Sequence, residues 1–123
     1  MLCRWESLKS IDLSNFNTQN FINMFGIFFR CKTLKKKDLS NFNNHNVINK
    51  ANMFHWCKSL KNLDLSIFNT QNFNNMEFMF TECESLQILD LSNFNTQNLT
   101  KKELMFNECY SNENVNNNKI IQN

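Results

Sequence analysis

Partway along the chain the apolar positions change period. Met76, Met79, Phe80 and Cys83 fall at i, i+3, i+4 and i+7, the stripe of a short helix. Leu86, Leu89 and Leu91 then follow the pattern L-x-x-L-x-L, whose end alternates as a half-buried strand does. SNFNTQN comes next, polar except for its Phe, and reads as a turn. The pattern predicts a short strand, an Asn-rich corner, and a helical turn or two leading back to the start.

This pattern recurs. DLSNFNTQN occupies 12–20 and again 90–98, three steps of 26 residues apart. The intervening copies are in phase: Asp12, Asp38, Asp64 and Asp90 are each followed by Leu-Ser. Phe16, Phe42, Phe68 and Phe94 keep the same step, as do Asn20, Asn46, Asn72 and Asn98. Met1-Leu2, Ile27-Phe28, Met53-Phe54, Met79-Phe80 and Met105-Phe106 mark the starts, each four residues before Trp5, Cys31, Cys57, Cys83 or Cys109. The chain therefore divides into units 1–26, 27–52, 53–78 and 79–104, with a degenerate partial repeat and Asn-rich tail over 105–123. In that tail Asn112 and Asn117 stand where the phase expects Leu, which reads as a frayed or capping end.

A unit of this size cannot bury its own apolar face, so units must stack and like-numbered residues form columns. Leu13, Leu39, Leu65 and Leu91 make one expected core column, Phe16, Phe42, Phe68 and Phe94 a second, and Cys31, Cys57, Cys83 and Cys109 a third. The Asn of the corner are expected to bond to each other or to the backbone of the next unit. Composition supports that role: the chain has one Gly and no Pro, and about a fifth of it is Asn. Asn tolerates left-handed dihedrals better than other residues with a side chain, so it can build the turns.

The residues now carry a family resemblance. MFHWCKSLKNLDLSIFNTQN, 53–72, resembles the BspA-type leucine-rich repeat in its mycoplasma-type surface-protein form, and the likeness extends over 1–104. The resemblance implies an α/β repeat: a right-handed leucine-rich-repeat solenoid with one short parallel β-strand and a short helical turn per 26-residue repeat. It also implies a cell-surface or extracellular protein of the adhesin kind, although MLCRWESL holds no apolar run that would serve as a signal peptide. There are departures from the pattern. Trp5 takes the place of a Cys, Lys37 stands at a core strand position, and Lys50 and Lys102 replace the Met seen at Met24 and Met76. They read as a worn copy or the edge of an array.

The net charge of +2 demands neither nucleic acid nor a membrane surface as partner, and no stretch approaches the apolar length of a transmembrane segment. Five Cys without a C-x-x-C pair argue against zinc. One Cys per period is read as a column of buried free thiols, with a redox or metal role as the alternative. His45 and His55 fall at unrelated phases, so no nucleophile–base grouping is expected. A single Gly gives no phosphate-cradling loop. No catalytic residue, cofactor or metal site is expected.

The Asp column lies between core positions, so Asp12, Asp38, Asp64 and Asp90 should face solvent on the concave side, with Ser14, Ser40, Ser66 and Ser92 beside them. Local bonds to Ser, corner amides or Lys would offset the repulsion of stacked charges; binding of a cation or a basic partner is the functional alternative. The variable neighbours Ser10, Lys36, Asn62 and Ile88 are better candidates for specificity. The expectation is a non-enzymatic module that binds a protein ligand through this face. The alternative is a truncated repeat remnant with only a structural role. Met1 starts at the phase of Met53, so uncapped repeats associating end to end are also expected.

Overall fold

A computed structural model describes residues 17–31, 36–37, 45–66, 68, 70–89, 91, 94–95 and 97–109. Strands β1 (Lys36–Lys37), β2 (Asn62–Leu63) and β3 (Ile88–Leu89) form one parallel sheet in the order β1-β2-β3. Lys36 pairs with Asn62 and Asn62 with Ile88, then Lys37 with Leu63 and Leu63 with Leu89. Each strand is thus matched to the residue one period later. Isolated parallel bridges join Asn23 to Asn49, Asn49 to Asn75 and Asn75 to Lys101 in the same register.

Among the described residues much of the inter-unit backbone bonding lies in the segments between the strands. The expected helical turns are absent: no α-helix occurs among the described residues. Each return is instead a run of three overlapping turns. In one unit the N–H groups of Met79, Thr81 and Cys83 donate to the carbonyls of Met76, Phe78 and Phe80. The intervening N–H groups of Met76, Phe78, Phe80 and Glu82 donate outward to Lys101, Glu103, Met105 and Asn107 of the next unit. The same alternation joins 50–57 to 75–81 and 24–30 to 49–55. A helix cannot lend alternate amides to a neighbour, since each is already used within it.

Two left-handed residues per unit stop the chain from winding into a helix. Gly26, Asn52, Phe78 and Leu104 have φ between 54° and 57°, and Arg30, Trp56, Glu82 and Glu108 between 57° and 64°. Each is the third residue of a turn, the place where a positive φ defines the type II form. Only Gly26 is a residue type that adopts this conformation at no steric cost.

The core lies inside the stacked turns. Phe28, Phe54, Phe80 and Phe106 form a continuous ladder with ring centroids 5.4, 5.7 and 5.4 Å apart and planes within 13° of parallel. Met53, Met79, Leu60, Leu86, Leu65, Leu91, Phe68, Val47 and Phe73 pack around it. Of the expected columns, Phe94 and Cys109 are only partly buried against this core, and Leu13, Leu39, Phe16 and Phe42 lie outside the described residues. Asn builds the corner in two ways. Asn17, Asn23, Asn49, Asn75 and Asn95 each accept through Oδ1 from the backbone amide two residues on, a local substitute for a turn bond. Asn46, Asn72 and Asn98 donate through Nδ2 to Gln19, His45 and Gln71 carbonyls of the preceding unit.

Candidate functional site

Along and after β2 the alternation of exposure is regular: Asn62, Asp64 and Ser66 are exposed, while Leu63 and Leu65 are buried. A strand side chain alternates between faces, so these polar residues share the outer face of the sheet. Parallel register puts Lys36 and Ile88 at the positions paired with Asn62. Three different residue types therefore stand in one row of a backbone that repeats. Ser10, Asp12, Ser14, Asp38, Ser40, Asp90 and Ser92 lie outside the described residues.

Asp64 has a local partner. Its Oδ1 accepts the Ser66 amide at 2.9 Å, so the carboxylate closes the chain at the strand end as well as facing solvent. This is the local arrangement that holds a charged side chain on an exposed face without a ligand.

The cysteines form an interior column. Cys31, Cys57, Cys83 and Cys109 are free thiols, the first three buried and the last half-buried. Cys57, Cys83 and Cys109 donate Sγ–H to the carbonyls of Phe28, Phe54 and Phe80 in the preceding unit. The adjacent Cys31 thiol, together with burial, pushes Cys57 well above the usual thiol range; Cys109 and burial do the same to Cys83. Both are protonated at neutral pH and are poor nucleophiles. No group of three or more His, Cys, Asp or Glu that could hold a metal ion occurs among the described residues.

Lys50 is the least expected side chain of the interior. It occupies the column of Met24 and Met76, is fully buried (0% exposed), and sets Nζ 2.9 Å from the Phe73 ring centre with the Val47 carbonyl 3.5 Å away. Burial drops its pKa from 10.5 to about 6. The ring's attraction for an ammonium is worth roughly 2 kcal/mol, less than the cost of taking an unpaired charge out of water, and no ion pair reaches Nζ among the described residues. The amine is therefore neutral at pH 7.

The turn segment carries a second surface that the repeat phases had not pointed to. Phe29, Arg30, His55, Trp56 and Phe78 are half-buried and touch across units. His55 lies 5.2 Å from the Phe29 ring, 6.1 Å from Trp56 and 6.2 Å from Phe78. The signal in the sequence was faint: Arg30 becomes Trp56 and Glu82 one and two periods later, a variable position next to the Cys that follows in each of these units.

Residues 1–119 match the family described as Mycoplasma protein of unknown function, DUF285. The chain belongs to that family. A family match over nearly the whole length agrees with one repeat pattern running through the chain. No curated protein and no solved structure matches it. Among the described residues no helix is long and apolar enough to cross a membrane.

Proposed function

We propose that this DUF285 chain is a non-enzymatic protein-interaction module, a BspA-like leucine-rich-repeat solenoid of right hand displayed at the cell surface. Its outer sheet face serves adhesion or partner binding. One observation carries the reading: Lys36, Asn62 and Ile88 share a single row of a parallel sheet, while the next row holds Lys37 and the buried Leu63 and Leu89. A variable row on a repeating backbone is how a repeat scaffold varies its recognition without changing its fold. Contact along such a row is many weak interactions in parallel, so affinity grows with the number of units engaged.

The test is binding of the purified chain to intact host cells, compared with a chain carrying Lys36→Glu, Asn62→Lys and Ile88→Glu together. The reading expects at least a tenfold loss of saturable binding with an unchanged thermal midpoint. Equal binding by the two chains overturns it.

A further inference from the structure

The turn surface has a chemistry of its own, independent of the sheet face. The Arg30 guanidinium carbon lies 4.2 Å from the Trp56 ring centre and 5.2 Å from that of Phe29. Its Nε is buried against these rings with no hydrogen-bond partner, and no ion pair reaches Arg30 among the described residues. The guanidinium plane is thus fixed by stacking, and its terminal nitrogens are not buried. Immobilising a fork before a ligand arrives removes much of the entropic cost of binding.

The neighbours narrow the ligand. Nδ1 of His55 lies 2.6 Å from Asn52 Oδ1; a carbonyl oxygen only accepts, so Nδ1 carries the proton and Nε2 is left with its lone pair. Burial lowers the His55 pKa, against the pull of Glu82 and helped by Arg30, so at pH 7 the ring offers its face to the strip without a full charge. Lys58 is no second cation to share, because its Nζ is 2.6 Å from Glu84 and 3.4 Å from Glu82. A phosphate or a polyanion would meet those two carboxylates beside a single available arginine. One carboxylate next to apolar atoms meets the planar fork and the rings instead.

We propose that the strip of Phe29, Arg30, His55, Trp56 and Phe78 docks an acidic peptide segment. One Asp or Glu carboxylate takes the open edge of Arg30, and a neighbouring apolar side chain lies on the rings. A polypeptide supplies both groups within two or three residues.

The probe is a blocked peptide, acetyl-Leu-Glu-Leu-Phe-amide, titrated while the indole N–H resonance of Trp56 is followed. Its control is the same peptide with Gln in place of Glu. The expected result is a saturable shift with the Glu peptide and at least tenfold weaker binding of the Gln peptide. Arg30→Gln should weaken the Glu peptide at least tenfold, with Arg30→Lys between the two. Equal affinity for both peptides overturns the proposal, and that comparison needs only the native chain. Unchanged binding by a folded Arg30→Gln also overturns it. Saturation by phenyl phosphate or sialyllactose without saturation by the Glu peptide removes the peptide from the site.

Discussion

The turn at 50–57 and the turn at 76–83 have one backbone and two sets of side chains. Both alternate local and inter-unit hydrogen bonds at equivalent residues, and both place left-handed residues third in their outer turns. Met53, Phe54 and Cys57 of the first are Met79, Phe80 and Cys83 of the second, all buried. Around them, the half-buried Asn52, His55 and Trp56 of one become Phe78, Thr81 and Glu82 of the other, of which Thr81 is buried. Inside, Met76 stands against Lys50, and the half-buried Glu77 against the buried Ala51. The comparison separates what the ladder requires, an apolar inward triad, from what it tolerates. Lys50 is where that tolerance sets an ionisable side chain in the interior.

Making Lys50 into its counterpart should have the largest effect. Its folded pKa lies near 6 and its ordinary value is 10.5, so between those values the unfolded chain binds more protons. Stability therefore rises with pH across that window, and below it both states are protonated and the slope vanishes. Lys50→Met removes the slope. It should stabilise the fold at pH 7 by up to about 5 kcal/mol, a figure set by the pKa displacement, and by little near pH 10. Urea denaturation of both chains from pH 6 to 10 checks this; parallel curves at all pH values would mean that the amine is not desolvated as its burial implies.

Breaking the shared triad comes second. Phe54 stacks on Phe28 at 5.4 Å and on Phe80 at 5.7 Å, so Phe54→Ala opens a gap in the middle of the ladder. The expected cost is about 3–5 kcal/mol. Phe106→Ala, at the half-buried end of the ladder with one described stacking partner, should cost about half as much. Equal losses in denaturant titrations would show that the ladder does not act as a column.

Third is the strain at the left-handed positions. Phe78 and Leu104 hold φ of 55° and 54° where the second unit uses Asn52. A bulky residue is disfavoured there by roughly 1–2 kcal/mol, a penalty Asn partly escapes. Phe78 is a confounded test because its ring stacks on His55. Leu104 is 54% exposed, so Leu104→Asn isolates the backbone and should gain about 1 kcal/mol, read as a raised melting temperature.

How much of this was legible depends on which residues repeat. The 26-residue step of Asp-Leu-Ser and of the Cys placed β1, β2 and β3 in the register observed, because stacking forces like residues together. The spacing of Met76, Met79, Phe80 and Cys83 misled. Turns closing from 76 to 79 and from 80 to 83 bring the same residues inward as a helix would. What distinguishes them is the left-handed residue between, and at that position only Gly26 and Asn52 announce it. The Lys at position 50 gave the sign of a worn repeat, yet it is as buried as the Met it replaces. A four-carbon stem fits where a Met fits. Arg30 and Trp56 could not be joined from sequence, since their contact spans a full period at a position that changes from Arg to Trp to Glu along the chain.

The smallest effect belongs to the sheet face and decides what Asp64 is for. Its Oδ1 accepts the Ser66 amide at 2.9 Å on an exposed surface, a bond worth about 0.5–1 kcal/mol net. Asp64→Ala loses the acceptor and should cost that amount. Asp64→Asn keeps an oxygen in the same place and should cost almost nothing, while removing the charge. The pair splits the two roles: a purely local carboxylate leaves the Asn variant native in stability and in cell binding. A carboxylate read by a partner leaves it native in stability alone, with binding reduced severalfold. Measured side by side with the Lys36, Asn62 and Ile88 variants, the result states whether the faithful or the variable residues of the strand make the contact.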